Sequence, residues 1–82
     1  MTIELRLFGE LGEYMPAGAT GRRARIEIPD DLDVMGLIDF LGIPFEADEG
    51  AIVVAINDEV ADLHAPINEG DIIGMFPPLA GG

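Results

Sequence analysis

The chain has 82 residues, enough for one small domain, and 49% of them are hydrophobic, which favours a folded globule over a disordered chain. It contains no cysteine, so disulfides, thiolate metal sites and thiol nucleophiles are excluded. Its formal net charge of −12 disfavours nucleic acid and anionic membranes as partners and favours a basic protein partner. The longest apolar run, residues 51–56, is too short for a membrane span, and no leader peptide is evident. We therefore expect a cytoplasmic protein without a membrane partner.

Two strands joined by a long loop are predicted in the first third of the chain. Residues 2–8 alternate between apolar and polar side chains, which is the period of a half-buried strand. Its inward positions are Ile3, Leu5 and Leu7. The strand ends in Phe8, an aromatic residue on the otherwise polar face. Residues 9–21 are rich in glycine and predict a loop, with Leu11, Tyr14 and Met15 in a short helical turn. Residues 22–28 alternate again, and Pro29 ends this second strand.

The second strand carries Arg22, Arg23 and Arg25, three of the four positive charges of the chain, with Arg23 and Arg25 on its polar face. These arginines are either a docking spot or a solvated strand face, and the second interpretation is the more common one.

One helix is predicted over Val34–Leu41. Its apolar residues recur at helical spacing, Asp33 is a good N-cap, and Gly42 stands where a left-handed C-cap is expected. Asp30, Asp31 and Asp33 lack the spacing of a calcium loop, so capping explains them better than metal binding.

The second half of the chain predicts three more strands. Residues 51–56 are apolar on both faces, which is typical of a central strand covered on both sides. Asn57 and Asp58 form a turn into a short strand, Glu59–Ala61, and the last strand is Ile72–Phe76. This order predicts an α+β fold of the β-grasp (ubiquitin-like) type, a mixed sheet of about five strands around one main helix. If the first and last strands are parallel neighbours, Phe8 and Phe76 form one exposed apolar patch of the kind that contacts other proteins.

We expect residues 1–76 to form the domain and residues 77–82 to form a flexible C-terminal tail. Pro77 and Pro78 cannot extend a β-ladder, and Gly81 and Gly82 carry no Cβ, so the end of the tail fits a narrow channel and leaves its carbonyl carbon open to attack. A reactive C-terminus is one interpretation of this pattern. A chance pair of terminal glycines is the other.

No independent catalytic machinery is evident in the sequence. There is no serine, no cysteine and only one histidine, His64, so an acyl-transfer triad is excluded. A phosphate-binding glycine loop and a run of zinc ligands are also missing. The residues therefore suggest a substrate or a module rather than a self-sufficient enzyme, with no cofactor or metal bound by this chain.

The last 26 residues resemble the end of the ubiquitin-like sulfur-carrier family, which includes the small subunit of molybdopterin synthase (MoaD) and the thiamine-pathway carrier (ThiS). The resemblance lies in Asn57-Asp58-Glu59-Val60, in Pro66-Ile67-Asn68-Glu69-Gly70-Asp71-Ile72-Ile73 and in Phe76-Pro77-Pro78-Leu79-Ala80-Gly81-Gly82. The Phe-Pro-Pro-x-x-Gly-Gly ending is closer to the molybdopterin branch. Family members often have Asn-Gly in place of Asn57-Asp58, and they usually contain lysine, which this chain lacks.

This resemblance implies a function in sulfur transfer. An adenylyltransferase similar to ubiquitin-activating enzymes would use ATP and magnesium, held in its own site, to adenylate the carboxylate of Gly82. A persulfide donor would then convert the acyl-adenylate to a thiocarboxylate. Within the family, the surface that docks this enzyme and the molybdopterin synthase large subunit corresponds to Phe8, Val60 and Phe76. The tail residues Pro77, Pro78, Leu79, Ala80 and Gly81 would enter the partner's channel.

Three functions stay open at this stage. The first is a sulfur carrier for molybdopterin synthesis, and the second is a carrier for thiamine or cysteine synthesis or a ubiquitin-like protein modifier. The third is a non-catalytic β-grasp interaction module whose terminal glycines are incidental.

Overall fold

The computed structural model describes residues 1–16, 19, 21, 23–44 and 52–77. In chain order these residues form β1 (Thr2–Leu7), a 3-10 helix (Gly9–Tyr14), β2 (Arg23–Glu27), α1 (Val34–Leu41), β3 (Val53–Ile56), β4 (Glu59–Ala61) and β5 (Ile72–Phe76). The five strands of this described part form one sheet with the order β2-β1-β5-β3-β4. Strands β1 and β5 are parallel, and the other neighbouring strands are antiparallel. The predicted α+β, β-grasp fold is confirmed.

Helix α1 has the boundaries that the sequence predicts. The Asp33 side chain accepts a 2.8 Å hydrogen bond from the Gly36 backbone N–H, and so satisfies one of the free donors of the first turn. Gly42 ends the helix at φ 77°, a left-handed conformation that glycine adopts without steric cost. Val34, Leu37 and Ile38 are buried against the sheet. The helix thus covers one face of the sheet, which we call the inner face.

Alternating residues of the strands complete the core beneath α1. Ile3, Leu5 and Leu7 of β1 are buried, as are Ile73 and Met75 of β5. These five side chains are at most 1% exposed, because β5 is the central strand of the sheet, β1 is its neighbour, and both lie under the helix. The inward positions predicted for β1 are therefore confirmed.

The loop between β4 and β5 passes over the start of the helix. The carbonyl of Leu63 accepts a 2.9 Å hydrogen bond from Met35, and the carbonyl of Ala65 accepts a 3.1 Å bond from Val34. A third bond, 3.2 Å long, runs from the Ile67 backbone N–H to the carbonyl of Leu32. These bonds satisfy two more amides of the first helical turn and fix the helix relative to the second half of the sheet.

The prediction that residues 51–56 form a strand covered on both faces is wrong. Strand β3 lies next to the edge strand β4, and its alternate residues differ in burial: Val54 is buried, whereas Val53 is 44% exposed. The only α-helix of the described residues packs on the inner face, so no second layer covers the outer side of β3. Residue 51 lies outside the described part of the chain, and Ile52 precedes the strand.

The turn between β3 and β4 is held by a polar network. Asn57 and Asp58 both have positive φ values, 52° and 70°, as a type I′ hairpin turn requires. The Asn57 side chain donates a 2.9 Å hydrogen bond to Asp71 Oδ1 and accepts one of 3.0 Å from the Ile72 backbone N–H. Asp71 Oδ2 accepts a further bond from the Asn68 backbone N–H at 2.8 Å. This network connects the hairpin to the start of β5.

In the part of the chain that the structure describes, none of the helices has the length and apolar character needed to cross a membrane.

Candidate protein interface

Two aromatic rings lie side by side at the ends of the parallel strands β1 and β5. Arg6 is opposite Gly74 and Leu7 is opposite Met75, so the next residues in register order are Phe8 and Phe76. The Phe8 backbone N–H donates a 3.0 Å hydrogen bond to the Met75 carbonyl, which continues the ladder past the last residue of β1. The two ring centroids are 4.5 Å apart, with an interplanar angle of 4°. The predicted adjacency of Phe8 and Phe76 is therefore confirmed, and the rings are stacked.

Gly74 provides the surface on which these rings rest. A Cβ atom at this position would lie 3.6 Å from Cε2 of Phe76 and 3.7 Å from Cε2 of Phe8. Both distances are ordinary van der Waals contacts, so the rings approach the backbone of β5 as closely as a methyl group would allow. A larger side chain at Gly74 would displace both rings.

The exposed apolar surface continues across the outer face of the sheet. Val53 is directly opposite Phe76, and Val60 is opposite Ala55, which in turn is opposite Gly74. Because residues directly opposite each other project from the same face, Phe8, Val53, Val60 and Phe76 share the outer face. We call these four residues the outer-face apolar patch. Val60 is 80% exposed and Phe76 is 38% exposed.

The sequence-predicted interface residues are only partly in contact with one another. Phe8 and Phe76 touch, whereas Val60 lies on β4, two strands away from β5 or about 10 Å in the hydrogen-bonding direction. Sequence reasoning missed Val53 and Gly74. The sequence pattern places Val53 in a strand covered on both faces, and it contains no signal that Gly74 lies beneath the two rings.

The start of the tail is in contact with the body of the domain. Pro77 packs against Gly9, where a Cβ atom would lie only 2.9 Å from Cγ of the proline ring. Gly9 also has a φ of 58°, in the left-handed region that favours glycine. Two independent constraints thus select glycine at this position. The remaining tail residues predicted to act in the interface, Pro78, Leu79, Ala80, Gly81 and Gly82, lie outside the described residues.

The polar groups around the helix have structural roles. His64 is exposed, and its Nδ1 lies 3.8 Å from Oδ2 of Asp33, the helix cap. Asp30 accepts a 2.9 Å hydrogen bond from the Met1 amino group, and this bond raises the pKa of that amine. Partial burial, together with the Glu13 carboxylate, raises the pKa of Tyr14.

No group of three or more histidine, aspartate and glutamate residues is arranged to hold a metal ion within residues 1–16, 19, 21, 23–44 and 52–77.

Comparison with known proteins places this fold among ubiquitin-like carriers. SAMP1 from Haloferax volcanii is 30% identical over the whole of both chains, with a TM-score of 0.70. The protein–protein complex of subunits 1 and 2 of the molybdopterin-converting factor from Helicobacter pylori contains a chain that is 28% identical over the whole of both chains, with a TM-score of 0.57. The putative molybdopterin-converting factor subunit 1 from Pyrococcus furiosus is 21% identical over 95% of this chain and 98% of its own, with a TM-score of 0.67, and shares the fold.

A search of curated protein sequences gives no match. The model of the ThiS family, in contrast, matches residues 5–82, which is almost the whole chain. The match includes the strands that carry the aromatic pair as well as the sequence of the tail. The chain therefore belongs to the ThiS family, the ubiquitin-like carrier family that its last 26 residues resemble.

Proposed function

We propose that this protein is a sulfur carrier that receives and donates sulfur at the carboxyl group of Gly82. The observation that carries the proposal is the position of the aromatic pair relative to the tail. Phe76 is the last residue of β5, and the tail begins with the next residue, Pro77, which packs against Gly9. An enzyme that docks on the outer-face apolar patch would therefore hold the tail at its own reaction centre.

The chemistry of loading requires activation, because a carboxylate is a poor electrophile until it carries a good leaving group. In the proposed cycle, a carboxylate oxygen of Gly82 attacks the α-phosphorus of ATP, and pyrophosphate leaves. The terminal sulfur of a persulfide donor then attacks the acyl carbon, and AMP leaves. A second thiol cleaves the resulting acyl disulfide, which releases the thiocarboxylate and a disulfide on the donor side.

The chain's composition indicates which reacting groups of the cycle belong to the carrier and which belong to its partners. ATP and magnesium belong to the site of the adenylyltransferase, a partner similar to ubiquitin-activating enzymes. This chain contributes the acyl group, with two glycines that offer no side chain to a narrow channel. It lacks serine and cysteine, so its own nucleophile in the cycle is the Gly82 carboxylate, and the sulfur nucleophiles come from the persulfide donor and the second thiol.

We propose molybdopterin synthesis as the destination of the sulfur. Support comes from the Helicobacter pylori complex, in which a chain 28% identical to this one is subunit 1 of a molybdopterin-converting factor bound to subunit 2. The corresponding partner here would be a molybdopterin synthase large subunit. Carriage of sulfur for thiamine or cysteine synthesis is the alternative within the same chemistry.

A second candidate function is protein modification. The specific observation that favours it is the likeness to SAMP1 from Haloferax volcanii. A solved structure from the same organism is described as small archaeal modifier protein 1. In that case, the activated carboxyl group of Gly82 would form an isopeptide bond with a lysine of another protein. Mass spectrometry of material from the native host separates the two functions. A carrier shows the mass change of one oxygen replaced by sulfur at the C-terminus, whereas a modifier shows branched peptides ending in Gly-Gly.

The test of activation uses the adenylyltransferase encoded in the same genome and measures pyrophosphate release with ATP. The wild-type chain should support release, and Gly81→Val should not, because the added side chain blocks entry to the channel. Gly12→Val is a matched control, since a Cβ atom at Gly12 meets nothing within 4 Å. Both variants should melt at nearly the wild-type temperature. Failure of the wild-type chain to support pyrophosphate release would contradict the proposed function.

A further inference from the structure

The positive charges of this acidic protein are concentrated on one face of the sheet. The chain has four arginines and no lysine, against 16 acidic residues. Three of the arginines, Arg6, Arg23 and Arg25, lie among the described residues, and register places all three on the outer face with the apolar patch. Arg22 lies outside the described residues. We call Arg6, Arg23 and Arg25 the arginine band.

The arginine band borders the apolar patch directly. One row of opposed residues runs across all five strands in the order Arg23, Arg6, Gly74, Ala55 and Val60. With strands about 5 Å apart, Arg6 lies about 5 Å and Arg23 about 10 Å from the glycine beneath the aromatic pair. The outer face therefore has an apolar half formed by β3, β4 and β5 and a charged half formed by β1 and β2, in which the three arginines outnumber the two glutamates of the same face, Glu4 and Glu27.

Only part of the band stabilises the sheet: Arg25 is directly opposite Glu4, and opposite charges in that position are favourable. Arg23 is directly opposite Arg6, and like charges in that position are destabilising. Arg6 is compensated by Glu4, whose carboxylate lies 2.6 Å from its Nε. Among the described residues, neither Arg23 nor Arg25 lies within 4.0 Å of a carboxylate oxygen. Both are on the edge strand β2 and are exposed.

We propose that the arginine band binds carboxylate side chains of the adenylyltransferase, next to an apolar segment of that enzyme that covers the outer-face apolar patch. This inference rests on the proposed function. It replaces the expectation, drawn from net charge alone, that the docking partner presents a basic surface. Complementarity to this face requires an enzyme surface with acidic residues beside apolar ones, because guanidinium groups pair well with carboxylates.

The remainder of the charge distribution gives this band a role in orientation. Asp33 and Asp39 belong to α1 and its cap, on the opposite side of the sheet from the arginines. An acidic enzyme surface is therefore repelled by the helix side of the carrier, whereas the part of the outer face that holds the arginine band attracts it. Such asymmetry selects the productive orientation during encounter, the stage at which charges at the edge of an interface act most strongly.

The test compares binding of three variants to the adenylyltransferase of the same organism by titration calorimetry. Arg23→Gln removes one charge from the band, and Arg23→Gln/Arg25→Gln removes two. His64→Glu is the control, because it lowers the formal net charge by the same amount as Arg23→Gln, but the residue is exposed in the loop between β4 and β5, beside the helix cap. Measurements are made at two salt concentrations at which both proteins are folded, since added salt screens exposed charges.

We expect the dissociation constant to rise about 3-fold for Arg23→Gln and about 10-fold for the double variant, the range expected when one and two exposed ion pairs are lost. His64→Glu should bind within a factor of two of the wild type. The differences should diminish at the higher salt concentration.

Two results would overturn the inference. Equal affinity of the wild type and the double variant would show that the band makes no contact, and tighter binding of the double variant would show that the enzyme surface is basic. Both results are informative only if the wild-type chain supports pyrophosphate release. A wild-type chain that does not release it contradicts the proposed function instead.

Discussion

Replacement of Phe76 by alanine should weaken docking of the adenylyltransferase while leaving a folded protein. Phe76 is 38% exposed, and a phenylalanine side chain has about 200 Å² of surface, so about 80 Å² of its surface is available to a partner. Complete burial of that area at about 25 cal/mol per Å² contributes about 2 kcal/mol. Alanine retains a small part of this contact. We therefore expect a loss of about 1.5 kcal/mol, or roughly a 10-fold rise in the dissociation constant.

The same substitution also reduces stability, which the experiment must separate from binding. Loss of the stacked contact with Phe8 costs about 0.5–1.5 kcal/mol beyond the lost burial. Unfolding in denaturant should therefore be measured first, and binding by titration calorimetry should follow under conditions in which the variant is fully folded. Phe40→Ala is the matched control, because Phe40 is 52% exposed but belongs to α1 on the other side of the sheet.

The expected outcome is a large binding defect for Phe76→Ala and none for Phe40→Ala. An affinity for Phe76→Ala within a factor of two of the wild type would refute the assignment of the outer-face apolar patch as the docking surface. Equal defects for both variants would show that exposed aromatic area in general, rather than this face, determines the affinity.

Three further substitutions test how the body of the domain is held. Gly9→Ala should lower the melting temperature by about 5–15 °C, because it forces a left-handed alanine and a clash with Pro77; adding Pro77→Ala should recover the part due to the clash. Asp58→Gly should raise the melting temperature by about 2–6 °C, since glycine removes the cost of φ 70° in the turn. Asp71→Ala should destabilise by about 1–3 kcal/mol in denaturant unfolding, because Asn57 and the Asn68 amide lose their acceptor. If Asp71→Ala changes the free energy of unfolding by less than about 0.5 kcal/mol, the level of a neutral surface substitution, the network is dispensable for stability.

The sequence was sufficient to predict the elements with strong local signals. Helix α1 begins after Asp33 and ends before Gly42 as predicted, because the cap hydrogen bond and the left-handed C-cap are properties of single residues. The alternating pattern of β1 also determines which side chains are buried. Even the adjacency of Phe8 and Phe76 could be anticipated, since a β-grasp sheet places its first and last strands side by side.

The wrong prediction for β3 has a physical cause, and another feature of the sequence holds the information that corrects it. Both faces of residues 51–56 are apolar, and an apolar run by itself does not distinguish a covered face from a docking face. The chain, however, predicts only one long helix, and one helix covers only one face of a five-stranded sheet. A strand that is apolar on both faces in such a chain therefore indicates an exposed apolar surface, which is what Val53 provides.

Details that depend on two distant segments could not be predicted from local patterns. Glycine is favoured at position 9 by the contact with Pro77, which is 68 residues later in the chain. No periodic pattern in the sequence predicts such a contact. The arginine band is a similar case. Arg6 and Arg23 become neighbours only through the register of β1 and β2, so the sequence shows two arginines on polar strand faces and not one row.

The contact of Pro77 with Gly9 bears on how far Gly82 can reach from the domain. Gly82 is five residues after Pro77, and a fully extended chain of that length covers at most about 18 Å. Under the proposed function, an enzyme that loads or unloads Gly82 would place its reaction centre within that radius of the proline. The length of the tether thus specifies a distance that every acceptor must reproduce, whatever its fold, between the pocket for the aromatic pair and its own catalytic atoms.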